Sequence, residues 1–243
     1  MHRHKRSVGI RGRRGTVEKT MAIPSPVAPA RPGVVRVRPL AAEDVAWTAE
    51  LQQAELPHGF FARLGQPFLR AYHLTFLESP FGVALVAERD GRPLAFLVGA
   101  SEARPHRAWV LRRNRRRLAA AGVACLARHP HVLVELVRTR ARRYARALTA
   151  YRGKVRYRDV RERRPTAILK HVVVAPDARG SGGGRLLVEE FVAEARARGA
   201  AVAQLTTVAD GEAEGFWRRL GWKPLGADRD EDGRLHRVFA RHL

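Results

Sequence analysis

Apolar and polar positions change period several times along the chain, and each change predicts an element. Residues 34–39 (V-V-R-V-R-P) alternate with period two and predict a first strand. From Ala41 the apolar positions take helical spacing as far as Leu56, with Glu43 and Asp44 at the start, where the helix dipole favours acids. Phe61, Leu64, Phe68, Leu69, Tyr72 and Phe76 predict a second helix over 60–77. Residues 83–88 and 93–99 flank Arg89-Asp90-Gly91-Arg92, a strand–turn–strand signal, because Asp-Gly accepts the positive φ of a tight hairpin.

The stretch 101–165 differs in kind. It reads as two basic amphipathic helices, about 108–128 and 132–148, separated at His129-Pro130, with a polar stretch after them. A segment this long between two strands predicts an inserted helical subdomain. Residues 167–174 are apolar apart from Lys170 and His171, as expected of an interior strand covered on both faces. A glycine-rich turn follows. Leu186, Leu187, Val188, Phe191, Val192 and Ala195 then predict an amphipathic helix over 185–198, capped by Gly199. A strand over 201–208, a short helix over 212–220 ending at Gly221, and a last strand over 235–240 complete the pattern. It contains no internal repeat. The order implies one mixed α/β domain over 34–243, preceded by a tail.

Composition changes this picture in two places. The net charge is +23, but it is local: residues 1–33 carry eight basic residues to one acidic, 101–165 twenty to four, and the remainder eighteen of each. All but five of the basic residues are arginine. The tail, basic and then proline-rich (Pro24, Pro26, Pro29, Pro32), is expected to be disordered, and Met21 offers a second start. It holds no apolar run suited to a signal peptide. Cys125 is the single cysteine, so neither a disulfide framework nor a cysteine metal site can be built, and a reducing cytoplasm is the expected compartment. No metal site is expected; His2 and His4 are isolated ligands in the tail.

The candidate chemistry lies in the glycine-rich turn, Arg179-Gly180-Ser181-Gly182-Gly183-Gly184, between an apolar strand and an amphipathic helix. A helix N-terminus leaves backbone N–H groups unpaired and carries a partial positive charge. Glycines let that backbone approach a phosphate closely, and Arg179 and Arg185 add charge. The turn is thus an anion cradle made of main chain. It lacks G-K-[ST], which excludes a Walker A loop, and its third glycine comes too early for the dinucleotide fingerprint.

With Val174 and Pro176 before Arg179, Gly182 and Gly184, and with Leu186-Leu187 after them, the segment resembles the GNAT superfamily of acyltransferases. Their signature is Q/R-x-x-G-x-G/A behind a strand ending V-x-P. A second, more degenerate likeness joins Asp210, Ala213, Phe216, Trp217 and Gly221-Trp222 to the family's N-x-x-A-x-x-F-Y and G-F. The resemblance implies a mostly antiparallel, V-splayed sheet with helices on both faces, and acetyl-CoA as co-substrate. It further implies that the backbone of Val172, Val173 and Val174 pairs with the pantetheine arm. Arg179, Gly180, Ser181, Gly182, Gly183 and Gly184, with Arg185, would hold the pyrophosphate, and Asp210, Phe216 and Trp217 would line the thiol end. Two departures stand out. Trp217 replaces the family's tyrosine acid and cannot protonate a thiolate, and Asp210 replaces an asparagine donor with an acceptor.

An amine must lose its proton before it keeps an acyl group, so a base is sought. His171 is the near-neutral titrating group on the cofactor strand, and a hydrogen-bonded histidine within the sheet is the competing reading. Glu212 and Glu214 are further candidates, or solvated charges at a helix start. The basic insertion is a lid over the acceptor, a surface for nucleic acid or anionic membrane, or a helical pair for a homodimer. The expected activity is direct acetyl transfer from acetyl-CoA to an amine or hydroxyl of an acceptor, which the basic insertion suggests is acidic. The rival is a non-catalytic acyl-CoA- or polyanion-binding module on the same fold.

Overall fold

A computed structural model describes residues 33–57, 59–128, 165–209, 211–229 and 233–243. Among them runs a seven-stranded sheet in the order β1-β2-β3-β4-β5-β7-β6. Its strands are β1 (Arg36–Pro39), β2 (Gly82–Arg89), β3 (Arg92–Ala100), β4 (Thr166–Val174), β5 (Val202–Val208), β6 (Lys223–Arg229) and β7 (Leu235–His242). All neighbours are antiparallel except β4 and β5. The helices are α1 (Val45–Glu55), α2 (Phe60–Arg63), α3 (Gly65–Glu78), α4 (Ala103–Arg113), α5 (Arg115–Arg128), α6 (Gly183–Ala197) and α7 (Glu212–Arg219). This is the mixed, mostly antiparallel α/β architecture expected from the sequence.

Alternation along the strands feeds two apolar layers. Val83, Leu85, Ala87, Ala95, Leu97, Ala167 and Leu169 pack with Leu187, Val188, Phe191, Val192 and Ala195 of α6. Val86, Phe96, Val98 and Val173 face the other way, onto Val45 of α1 and Phe68, Tyr72 and Phe76 of α3. β3 is buried from Leu94 to Ala100 because both faces are covered, which is why its sequence shows no alternation.

Local chemistry fixes the joints. The hairpin turns at Asp90 (φ 53°) and Gly91 (φ 76°), as the Asp-Gly pair requires. Where β1 meets α1, Arg38 donates two hydrogen bonds to Asp44 (2.6 and 2.9 Å) and one to Glu88 (2.7 Å), while the Ala41 N–H donates to Asp44 (2.8 Å). The Arg38 hydrogen bonds hold the Asp44 carboxyl below the usual carboxylate range. Behind the sheet, α1 and α3 are joined by buried polar groups. His73, fully enclosed, bonds Thr48 through Nδ1 (2.8 Å) and Gln52 through Nε2 (2.7 Å).

Three elements differ from the sequence pattern. The helix expected over 60–77 divides at Leu64, because Gly65 takes φ 78° and restarts the chain as α3. The helix expected over 108–128 begins earlier, at Ala103, and divides at Asn114, whose side chain donates to Glu78 (3.3 Å). β6 was not foreseen: Pro224, Gly226 and Asp228 disguise a strand that closes the sheet edge against β7. The second insertion helix (132–148) and the tail over 1–32 lie outside the described residues. Among the described residues no helix is long and apolar enough to cross a membrane.

Candidate active site

Two features of β4 build the site. The first is a bulge. Val98 pairs with His171 but Gly99 pairs with Leu169, so Lys170 is an extra residue on β4. Gly99 tolerates no side chain there, since a Cβ would lie 2.7 Å from the Ile168 carbonyl oxygen and from Phe191. The bulge reverses the alternation. Ala167 and Leu169 face the α6 layer before it; Val172 and Val174 face that layer after it. His171 therefore turns to the opposite face, where its ring meets Tyr72 edge-on at 5.9 Å.

The second feature is a wedge. β4 and β5 pair only through Thr166–Val202, Ala167–Ala203 and Ile168–Gln204. Beyond Ile168, β4 continues along β3 to Val174, and β5 continues along β7 to Val208. Among the described residues no strand pairs with the β4 edge that faces the wedge from Leu169 onward. Alternate residues of a strand direct their N–H and C=O to one edge, so this edge offers backbone hydrogen bonds to a linear, amide-bearing ligand.

The glycine turn follows directly on β4, at the end of the strand that lies beyond the wedge's mouth. Pro176–Ala178 form a single 3-10 turn, Gly180 and Gly182 adopt φ 79° and 84°, and α6 starts at Gly183. The Gly183 N–H donates to Ser181 Oγ (3.3 Å), and the first helical bond runs from Leu186 N–H to the Gly182 carbonyl (3.0 Å). The N–H groups of Gly184 and Arg185 thus have no partner within the helix. A Cβ on Gly184 would stand 3.1 Å from Val174 Cγ2, so glycine there lets the helix start rest directly on β4. The turn therefore places a glycine backbone and the start of α6 directly after β4, the arrangement on which the expectation of a main-chain anion cradle rests.

Both arginines beside the turn are ion-paired: Arg185 to Glu189 (2.7 Å), and Arg179 to Glu55 at the end of α1. On the β3 side of the turn lies a pocket of about 580 Å³, lined among others by Arg89, Arg92, Asp177, Arg179 and Ser181. Arg92 and Asp177 pair across it (2.7 Å).

His171 is displaced from the ordinary histidine range to about 4, first by burial and then by the charge of Lys170. At neutral pH it is a free imidazole with an available lone pair. Tyr72 beside it is held protonated, its phenol pushed up by burial. On the other wall, Phe216 reaches toward Gly184 and meets Trp217 at 4.9 Å, and Trp217 meets Trp222 at 5.7 Å. The indole N–H groups of Trp217 and Trp222 are enclosed, without a hydrogen-bond partner among the described residues. Glu214 is held by Arg237 (2.5 Å) and Arg218 (3.7 Å), which makes it a clamp between α7 and β7. Asp210 lies outside the described residues. Among the described residues no three His, Cys, Asp or Glu side chains gather as a metal site.

Sequence reasoning missed Glu55, Arg89 and Arg92. Glu55 did leave a signal, an acid at the C-terminal end of a helix, where the dipole disfavours it. The two arginines read only as hairpin flanks.

Comparisons with known proteins agree with this geometry. The fold matches Ard1 from Thermoplasma volcanium with a TM-score of 0.54 at 14% identity, covering 86% of this chain and 98% of that one. A ribosomal-protein-alanine N-acetyltransferase from Brucella melitensis matches at 0.52 and 17%, covering 86% and 99%. The polyamine N-acetyltransferase of Drosophila melanogaster matches at 0.50 and 18%, covering 86% and 100%. No curated protein sequence matches the chain. The profile of the acetyltransferase (GNAT) family spans residues 48–222, most of the chain. With that profile, the sheet order and the wedge beside a glycine turn, the chain belongs to the GNAT acetyltransferase family.

Proposed function

We propose that the chain transfers the acetyl group of acetyl-CoA to a primary amine by direct attack in a ternary complex. The observation that carries this reading is the wedge between β4 and β5, open beyond Ile168, with the glycine turn following directly on β4. Enzymes of this family take acetyl-CoA as donor, and the residues present suit it. The backbone of Val172, Val173 and Val174 would bind the amide-rich pantetheine arm. Arg179 through Arg185 would bind the pyrophosphate, with Phe216, Trp217 and Asp210 toward the thiol end. The bound thioester supplies an activated acyl group.

The chain's own part is position and electrostatics. The N–H groups of β4 would hold the cofactor in one orientation and polarise its thioester. The amine then approaches from the α1/α3 face, onto which the bulge has turned His171. As nitrogen bonds to carbon it becomes positively charged and more acidic, and the neutral His171 imidazole accepts its proton. The tetrahedral adduct expels the thiolate. Trp217, whose indole N–H is enclosed and is no acid, gives that sulfur no proton, so the thiolate is protonated by water. The partners are acetyl-CoA and an amine. Exposed Arg112, Arg113, Arg115 and Arg116 at the α4–α5 junction suit an acceptor with an acidic flank.

The test is thiol release from acetyl-CoA with a panel of amines: agmatine, spermidine and a peptide with N-terminal alanine. Amine-dependent release with stoichiometric N-acetylated product supports the proposal. Release independent of every amine, by protein shown to bind acetyl-CoA, would replace it with a binding module.

A further inference from the structure

The ion pair between Glu55 and Arg179 is unused by the chemistry above. Glu55 is the last residue of α1, where the helix dipole opposes a carboxylate. Its side chain is only 19% exposed, a setting in which an ionised group needs a partner. That partner comes from 124 residues away: Arg179, next to Gly180 in the cradle. Its guanidinium is 64% exposed and joins the α1 end of the molecule to the phosphate turn. One cation is thus shared between a single carboxylate in the free protein and a cradle shaped for a more highly charged anion.

We propose that Arg179 changes partner when the cofactor binds. The phosphates draw its guanidinium off Glu55, and a carboxylate is left open at the end of α1, on the face toward which His171 points. The inference rests on reading the glycine turn as the phosphate cradle. Two consequences follow from its chemistry. Glu55 competes with the cofactor for Arg179, so in the free protein it weakens cofactor binding. The open carboxylate is a group that suits a protonated amine, and it exists only after the cofactor has bound, so the cofactor binds before the amine. By linkage, a cation held at Glu55 tightens the cofactor in return. A static brace, in which Glu55 merely holds Arg179 ready for the phosphate, makes the opposite forecast for removal of the carboxylate.

Calorimetric titration of acetyl-CoA into wild type, Glu55→Gln, Arg179→Gln and the double variant separates the two. Glu55→Gln is expected to bind about two- to fivefold more tightly, the range for release of one exposed ion pair. Arg179→Gln is expected to bind about tenfold more weakly. The double variant should match Arg179→Gln, because Glu55 acts only through Arg179. Equal or weaker binding by Glu55→Gln, with thermal melts confirming its fold, overturns the proposal. Carbodiimide labelling read by mass spectrometry gives a second measure. Labelling of Glu55 should rise when acetyl-CoA is added to wild type and be high throughout in Arg179→Gln; unchanged labelling of wild type overturns the partner change. Loss of the cradle reading looks different, since wild type would then bind no acetyl-CoA at all.

Discussion

Lowering the pH from 7.5 to 5.0 destabilises this fold through His73. The residue is fully enclosed between α1 and α3; its Nε2–H donates to Gln52 Oε1 and its Nδ1 pairs with the Thr48 hydroxyl, which also reaches the Val45 carbonyl (3.1 Å). Both ring nitrogens are satisfied in the neutral form, and burial, with a smaller contribution from His171, lowers its pKa to about 3. The unfolded chain takes up the proton near pH 6.5, so between that value and about 3 the unfolded state binds more protons and stability falls as pH falls. At pH 5.0 the difference amounts to about 2 kcal/mol from this group. For a domain of this size that is about 4–8 °C in Tm. His106 and His171, each lowered to about 4, act in the same direction, so wild type alone cannot isolate the effect. Thermal melts followed by circular dichroism at the two pH values, on wild type and His73→Gln, do isolate it. Gln retains a donor and an acceptor, and the variant should be less stable at pH 7.5 yet lose about 4–8 °C less on acidification. An equal loss in both proteins would refute the reasoning.

Three further outcomes can be measured. Asp44→Asn removes the charge that Arg38 grips in a two-pronged pair and should lower stability by about 1–2 kcal/mol in urea unfolding at pH 7. Because that carboxyl is held low, the difference should persist above pH 4 and vanish as pH falls through its lowered value. Gly184→Val presses a side chain against Val174 and should cost about 1–3 kcal/mol while weakening acetyl-CoA binding at least tenfold, read by urea unfolding and calorimetry. Trp217→Tyr introduces an ionisable donor where an indole N–H now lies unpartnered; kcat should acquire an alkaline limb near pH 10 that wild type lacks, while the Kd for acetyl-CoA changes less than about threefold.

The strand, glycine turn and helix were legible in the sequence because they are local: they occupy consecutive residues, and each residue type has a reason that needs no tertiary partner. The hairpin at Asp90-Gly91 and the α6 stripe were legible for the same reason. Pairing was not legible. Nothing in residues 166–174 says that β4 leaves β5 after Ile168, or that Lys170 is a bulge that moves His171 to the other face. Those depend on β3, β5 and β7, which lie far away in sequence. The same holds for Glu55, whose partner is 124 residues distant. β6 was hidden because Pro224 and Gly226 suit an edge strand with irregular register as well as they suit a loop.

The central claim is that the wedge and its glycine turn hold acetyl-CoA. The most direct measurement is isothermal calorimetry of acetyl-CoA into the protein, with a melt on the same sample to establish that it is folded. The account expects one site with a Kd in the micromolar range, about 8 kcal/mol of binding free energy, and weaker binding at higher salt, because the phosphates supply much of the attraction. Folded protein that takes up no acetyl-CoA would contradict it.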